Sequence, residues 1–174
     1  HYFNGPSGGV ESHFYIRRSG AVEQYRDTNT QADANEAANG FAISIETQGM
    51  GHGEWGGDQM KAIKNLVEWL AGAHRNIPLV VIDSAYGSGV GYHVQFPGVW
   101  DTRGATCPGP DRQKQFWDDL SPWLGGAKRG GGAQSVDYNY TAPTSNSYYN
   151  PPVDRSVESI QTIVGVTADG FYGA

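Results

Sequence analysis

Residues 41–47, FAISIET, alternate in a way that only an extended chain can use. Phe41, Ile43 and Ile45 fall on one face, and Ala42, Ser44 and Glu46 on the other. The first face is apolar enough to be buried. The second carries two small side chains and then a single carboxylate, which leaves room for something to sit beside the acid. An edge-strand Glu in water is the plainer alternative. Downstream, Met60, Ile63, Val67 and Leu70 recur at helical spacing, with Leu66 and Trp69 beside them. The pattern predicts a helix from Asp58 to about Ala71, capped by Asp58 and ended near Gly72. Leu79–Ile82, LVVI, reads as a short buried strand. Strand, helix, strand in that order makes the domain α/β.

Upstream, Ser12–Arg18 alternates, with Phe14 and Ile16 on one face and His13, Tyr15 and Arg17 on the other. Ser19-Gly20 is a turn signal, and Ala21–Arg26 resumes as a second strand, so a β-hairpin is expected. Residues 27–40 are polar and read as a long loop. Downstream of Ile82, a Gly/Ser-rich stretch leads to Tyr92–Pro110, YHVQFPGVWDTRGATCPGP. A helix is expected from Asp111 to Leu124, with Phe116, Trp117, Leu120 and Trp123 as its apolar residues.

Composition narrows the function. The chain has 174 residues and a formal charge of −6, which argues against a general nucleic-acid footprint. A single cysteine, Cys107, excludes an internal disulfide framework. No apolar run reaches membrane-spanning length, and no signal peptide opens the chain. The sequence starts on His1 without a leading strand, and a truncated N-terminus is expected.

Cys107 and His93 share one segment. A thiol just before a helix start is favoured as thiolate, which suits a metal ligand and a nucleophile equally. A buried free Cys that packs as a small hydrophobe is the third reading. The other histidines are His1, His13, His52 and His74. His74 follows a helix end and reads as a C-terminal cap. A hydrolytic zinc site takes three protein ligands and an open position for water, and one Cys with two His would supply it. A nearby carboxylate would take the water's proton, and Glu46 has the setting for that.

These segments together resemble the zinc-dependent N-acetylmuramoyl-L-alanine amidases of the phage-lysozyme and peptidoglycan-recognition type. HYFNGP resembles the family's first-ligand segment, SHFYIRRSGAVEQYRD its hairpin, and NGFAISIETQG its Glu-bearing strand. YHVQFPGVWDTRGATCPGP resembles its second- and third-ligand segment. The details look most like phage endolysins. The resemblance implies a mixed, mostly parallel β-sheet with flanking helices over residues 1–124. It implies one Zn2+ per chain, held by His1, His93 and Cys107, with Glu46 as the acid/base residue. It also implies peptidoglycan as partner and hydrolysis of the amide between N-acetylmuramic acid and L-Ala. The place of action would be the bacterial cell wall, with delivery from a host cytoplasm or a virion. A non-catalytic recognition domain on the same fold and a Cys107-nucleophile hydrolase are the alternatives.

The pattern departs from the family at two places. Ser12 stands where many members carry Tyr, and Ala105 where many carry Lys. Arg103 and Thr106 are the nearest candidates to stabilise an oxyanion in their stead. Trp55 and Trp100 are candidates for stacking on sugar or peptide, or else core aromatics. From Gly125 the composition becomes that of a linker, over residues 125–153. Residues 154–174 resemble the start of a helical peptidoglycan-binding repeat, with Val157, Ile160 and Ile163 or Val164 at helical spacing.

Overall fold

A computed structural model describes residues 12–49, 53–74, 77–101 and 106–125, and the backbone of 161–167. The hairpin forms as strands β1 (Phe14–Ile16) and β2 (Val22–Gln24), paired antiparallel with Tyr15 opposite Glu23. Gly20 makes its turn with φ 81°, and a Cβ there would lie 2.8 Å from the Asp58 carbonyl oxygen. Glycine therefore suits both the backbone angle and the close approach. Strand β3 (Ala42–Thr47) runs parallel to β1, placing Phe14 beside Ile45 and Tyr15 beside Glu46. All six of its residues are buried.

Helix α1 (Gly57–Ala73) covers one face of this sheet. Met60, Ile63, Leu66, Val67 and Leu70 pack in one core with Phe14, Ile16, Ile43 and Ile45. The buried Gln59 adds polar ties, donating to the carbonyls of Ile16 (3.0 Å) and Gln48 (3.1 Å). The N-cap is Gly56, without a side-chain bond, so Asp58 sits in the first turn and does not cap. There its charge still favours the positive helix end. The helix passes Gly72 and ends at the C-cap His74, whose ring lies 2.8 Å from the Thr28 hydroxyl.

Leu79–Ile82 does not form a strand. One bridge joins Val81 to Val90 ahead of β4 (Val90–Gly91), with bonds from Val90 N–H to Val80 O and from Ile82 N–H to Val90 O. Only Val81 and Ile82 of that run are buried. The last helical run is broken in character: α2 (Pro110–Gln115), a π turn over Phe116–Leu120, and α3 (Ser121–Trp123). Pro122 lacks an N–H and would crowd the Asp118 carbonyl in a regular α-helix. The turn before it widens, so Ser121 N–H reaches Phe116 O.

Residues 161–167 overturn an expectation. They form strand β5 (Gln161–Thr167), where helical spacing predicts the end of a helix over 156–164. The strand lies parallel to both β3 and β4, giving the sheet order β2-β1-β3-β5-β4. The stretch QTIVGVT is rich in β-branched residues, which favour the pleated state over the helix.

Candidate functional site

Glu46 is the reference point. It sits near the C-terminal end of β3, flanked by β1 on one side and β5 on the other. The residue is 1 % exposed, and both carboxylate oxygens are shielded from solvent. The solvated edge-strand alternative therefore fails. Its face is the one the alternation assigns, opposite Ile43 and Ile45 and their helix contacts. Residues 27–40 lie over the N-terminal half of that face, where Ala38 packs with Ala42, Ile82 and Trp100.

His93 arrives at the same end of the sheet. Ser44 and Gly91 both pair with Ile163, so they lie level across β5. Two residues further along each chain come Glu46 and His93. Two strand spacings separate β3 from β4, about 10 Å. Tyr92 turns into the helix-side core, meeting Phe116 edge-on at 5.2 Å, and His93 follows it in a short 3-10 turn. The His93 Nε2 lies 3.0 Å from the Trp100 carbonyl oxygen. A carbonyl only accepts, so Nε2 carries the proton and Nδ1 is the lone-pair nitrogen. Nδ1 is itself shielded from solvent. A carbonyl that fixes the tautomer in this way is a usual support for a metal-ligating His.

Cys107 is half-buried and reduced. Val94 N–H donates to its carbonyl at 3.4 Å, which brings the cysteine segment alongside His93. The backbone at Cys107 thus runs beside Val94, the residue after His93, and Glu46 lies at the same sheet end. His1 and Arg103 lie outside the described residues. Among the described residues, no group of three His, Cys, Asp or Glu side chains converges as a metal cage. A buried imidazole and a thiol on a neighbouring segment are nevertheless of the donor types that zinc accepts.

The two tryptophans take packing roles in place of the expected stacking. Trp100 is 0 % exposed, meets Phe96 edge-on at 4.7 Å and donates its indole N–H to Ala85 O at 2.8 Å. Trp55 is 2 % exposed and donates to the Thr47 hydroxyl at 3.0 Å. Neither offers a ring face to a ligand. Thr106 is exposed, and its carbonyl accepts from Gly109 N–H at 2.7 Å. Ser12 is buried, with its hydroxyl donating toward the carbonyls of Phe14 and Ser44, so it does not replace a phenol in the site.

Two residues beyond those expectations shape the region. Arg112 is 1 % exposed and clamps the chain after β3. Its guanidinium donates to Gly53 O (3.3 Å), the Thr47 hydroxyl (3.2 Å) and Gln48 O (3.0 Å), and lies over the Trp55 ring. Burial holds its pKa below the ordinary arginine value. Gly49, at φ 147°, makes the space: a Cβ there would sit 2.0 Å from Arg112 Nη2. The second is His13, treated below. A buried Arg two residues past Pro110 carries no sequence signal of its own, because surface arginines look the same.

The model of one protein family, described as N-acetylmuramoyl-L-alanine amidase (Amidase_2), matches residues 1–110. The chain belongs to this amidase family. No curated protein and no solved structure matches. Membership supplies the amidase activity and peptidoglycan as its substrate. The mixed α/β sheet with its helices is consistent with that family. Among the described residues no helix is long and apolar enough to cross a membrane.

Proposed function

We propose that this amidase cleaves the bond between the lactyl group of N-acetylmuramic acid and the first L-Ala of the stem peptide in a zinc-dependent reaction. His1, His93 and Cys107 would hold the ion. The observation that carries the reading is Glu46: a carboxylate 1 % exposed, on a strand flanked on both sides, at the sheet end to which the His93 segment also runs. Zinc, when bound, lowers the pKa of water and polarises a carbonyl. Glu46 accepts a proton from the attacking water and returns it to the leaving amine of L-Ala. Shielding from bulk solvent keeps that proton in the site between the two transfers. The Trp100 carbonyl keeps His93 in the tautomer whose Nδ1 carries the lone pair. An endolysin role, acting on the wall from within a host cell or from a virion, belongs to the same proposal. So does the division into an amidase unit over 1–124 and a linker over 125–153; the helical wall-binding module expected over 154–174 is not part of it, because residues 161–167 run as a strand of the amidase sheet.

The test is Glu46→Gln on purified protein, with zinc content, wall lysis and newly freed L-Ala amino termini measured together. The reading expects one zinc retained and release of amino termini reduced about 10²–10⁴-fold. Undiminished release in the variant sinks it. Zinc bound by a wild-type protein that releases nothing would favour a recognition domain instead.

A further inference from the structure

His13 stands one residue before β1, 1 % exposed. Its Nε2 lies 2.8 Å from the Thr30 carbonyl oxygen, so Nε2 carries the proton. Its Nδ1 then accepts the backbone N–H of Ser44 at 3.0 Å, with the Ser44 hydroxyl also 2.9 Å away. The His13 N–H donates to that hydroxyl at 3.2 Å. The Ser12 hydroxyl closes the group, 3.1 Å from the Ser44 carbonyl oxygen. The ring stands where a ladder partner from β1 would, because regular β1–β3 pairing begins only at Phe14 and Ile45. One imidazole therefore joins β1, β3 and the loop over 27–40.

Ser44 and Glu46 occupy the same face of β3, about 7 Å apart along the strand. Whatever fixes the Ser44 backbone fixes the level and tilt at which Glu46 leaves the sheet. We propose that His13 is a positioning residue for the hydrolysis, holding β3 through the Ser44 N–H so that the Glu46 carboxylate stands at the working height. This rests on Glu46 carrying the proton. The ring performs this role only when neutral, since protonated Nδ1 would turn a donor against the Ser44 N–H. Burial, the largest cause, with Arg26 and His74 adding to it, lowers the His13 pKa to about 4. Thr30 and Asp27 act in the opposite direction without cancelling it.

The two ring nitrogens can be replaced separately. In His13→Asn the amide oxygen takes the Nδ1 position and can accept the Ser44 N–H. In His13→Gln the amide nitrogen takes the Nε2 position and can donate to Thr30. A positioning role through Ser44 expects His13→Asn to keep kcat within about threefold of wild type. It expects His13→Gln to lose about 30-fold or more in kcat with KM unchanged, at matched urea midpoints. The carboxyl 13C titration of Glu46 should shift in the Gln variant and stay put in the Asn variant. Equal kcat in both variants, or one Glu46 titration curve for all three proteins, overturns the role. Glu46→Gln measured alongside separates the failures: if it hydrolyses like wild type, the Glu46 reading falls first and this role falls with it. In the unmutated protein, a through-bond coupling between Ser44 15N and His13 15Nδ1 is expected, and its absence removes the contact on which everything here depends.

Discussion

His13 and His93 are both buried imidazoles that give the Nε2 proton to a backbone carbonyl, Thr30 at 2.8 Å in one and Trp100 at 3.0 Å in the other. Both rings are therefore set in the same tautomer by the same kind of acceptor. The difference lies on the opposite nitrogen. In His13, Nδ1 is spent on the Ser44 N–H, inside the sheet. In His93, Nδ1 belongs to a residue whose neighbour, Val94, is bonded to the Cys107 carbonyl. One ring is a joint of the scaffold and the other stands in the proposed zinc set. A tautomer-fixing carbonyl is thus not by itself a mark of a ligand.

The sharpest way to break this contrast is to remove each ring in turn. His93→Ala should lose the bound zinc and reduce hydrolysis by about 10³-fold or more, with loss of the metal's contribution. His13→Ala should keep one zinc per folded chain while kcat falls. Zinc content by elemental analysis and amide hydrolysis on the same samples give the comparison directly. If His13→Ala loses zinc and His93→Ala does not, the two assignments are exchanged.

The scaffold side can be pressed again at Arg112. Three bonds and the Trp55 face hold its buried guanidinium against the chain after β3. Arg112→Ala leaves those acceptors without their charged donor and should cost about 3 kcal/mol or more in chemical denaturation. Gly49→Ala should cost about 2–4 kcal/mol, because the new Cβ meets a guanidinium that cannot move aside and the backbone stands at φ 147°. Folded Gly49→Ala is expected to bind zinc as wild type does, like His13→Ala. A variant of normal stability at Gly49 would mean that Arg112 is loosely held.

Several elements that alternation and helical spacing specify did form: the hairpin, β3 with both faces correct, and α1. Each depends on a pattern that sits within a few residues. The site was legible where a side chain type and its local pattern agree, as with Glu46 beside small residues. Less could be read where burial depends on distant segments. For Trp55 and Trp100 the sequence leaves stacking residue and core aromatic both open until their burial and their indole N–H partners, Thr47 and Ala85, are known. His13 gave no more signal than any other histidine, since its partners Ser44 and Thr30 lie far along the chain. Residues 161–164 fit a helical period and an extended run alike, and pairing with β3 and β4 decided between them. Asp58 had the chemistry of a cap, but Gly56 starts the helix two residues earlier.

The smallest effect separates the histidines by pH. The folded-state pKa of His13 is about 4, lowered chiefly by burial from the ordinary 6.5. Between those values the unfolded chain binds a proton that the folded chain refuses. Stability therefore rises with pH across this interval, is complete above about 6.5 and is lost as pH falls toward about 4. The span is worth at most about 3 kcal/mol, because one pKa unit corresponds to about 1.4 kcal/mol. His74, also lowered by burial, slopes the same way. Urea midpoints from pH 7 down to pH 5 should fall in wild type and in His93→Ala, and fall less steeply in His13→Asn, where the His13 ring no longer titrates and only the slope from His74 remains. A slope that stays at full steepness in His13→Asn but lessens in His93→Ala would place the excluded proton on the other ring, and with it the joint of the scaffold.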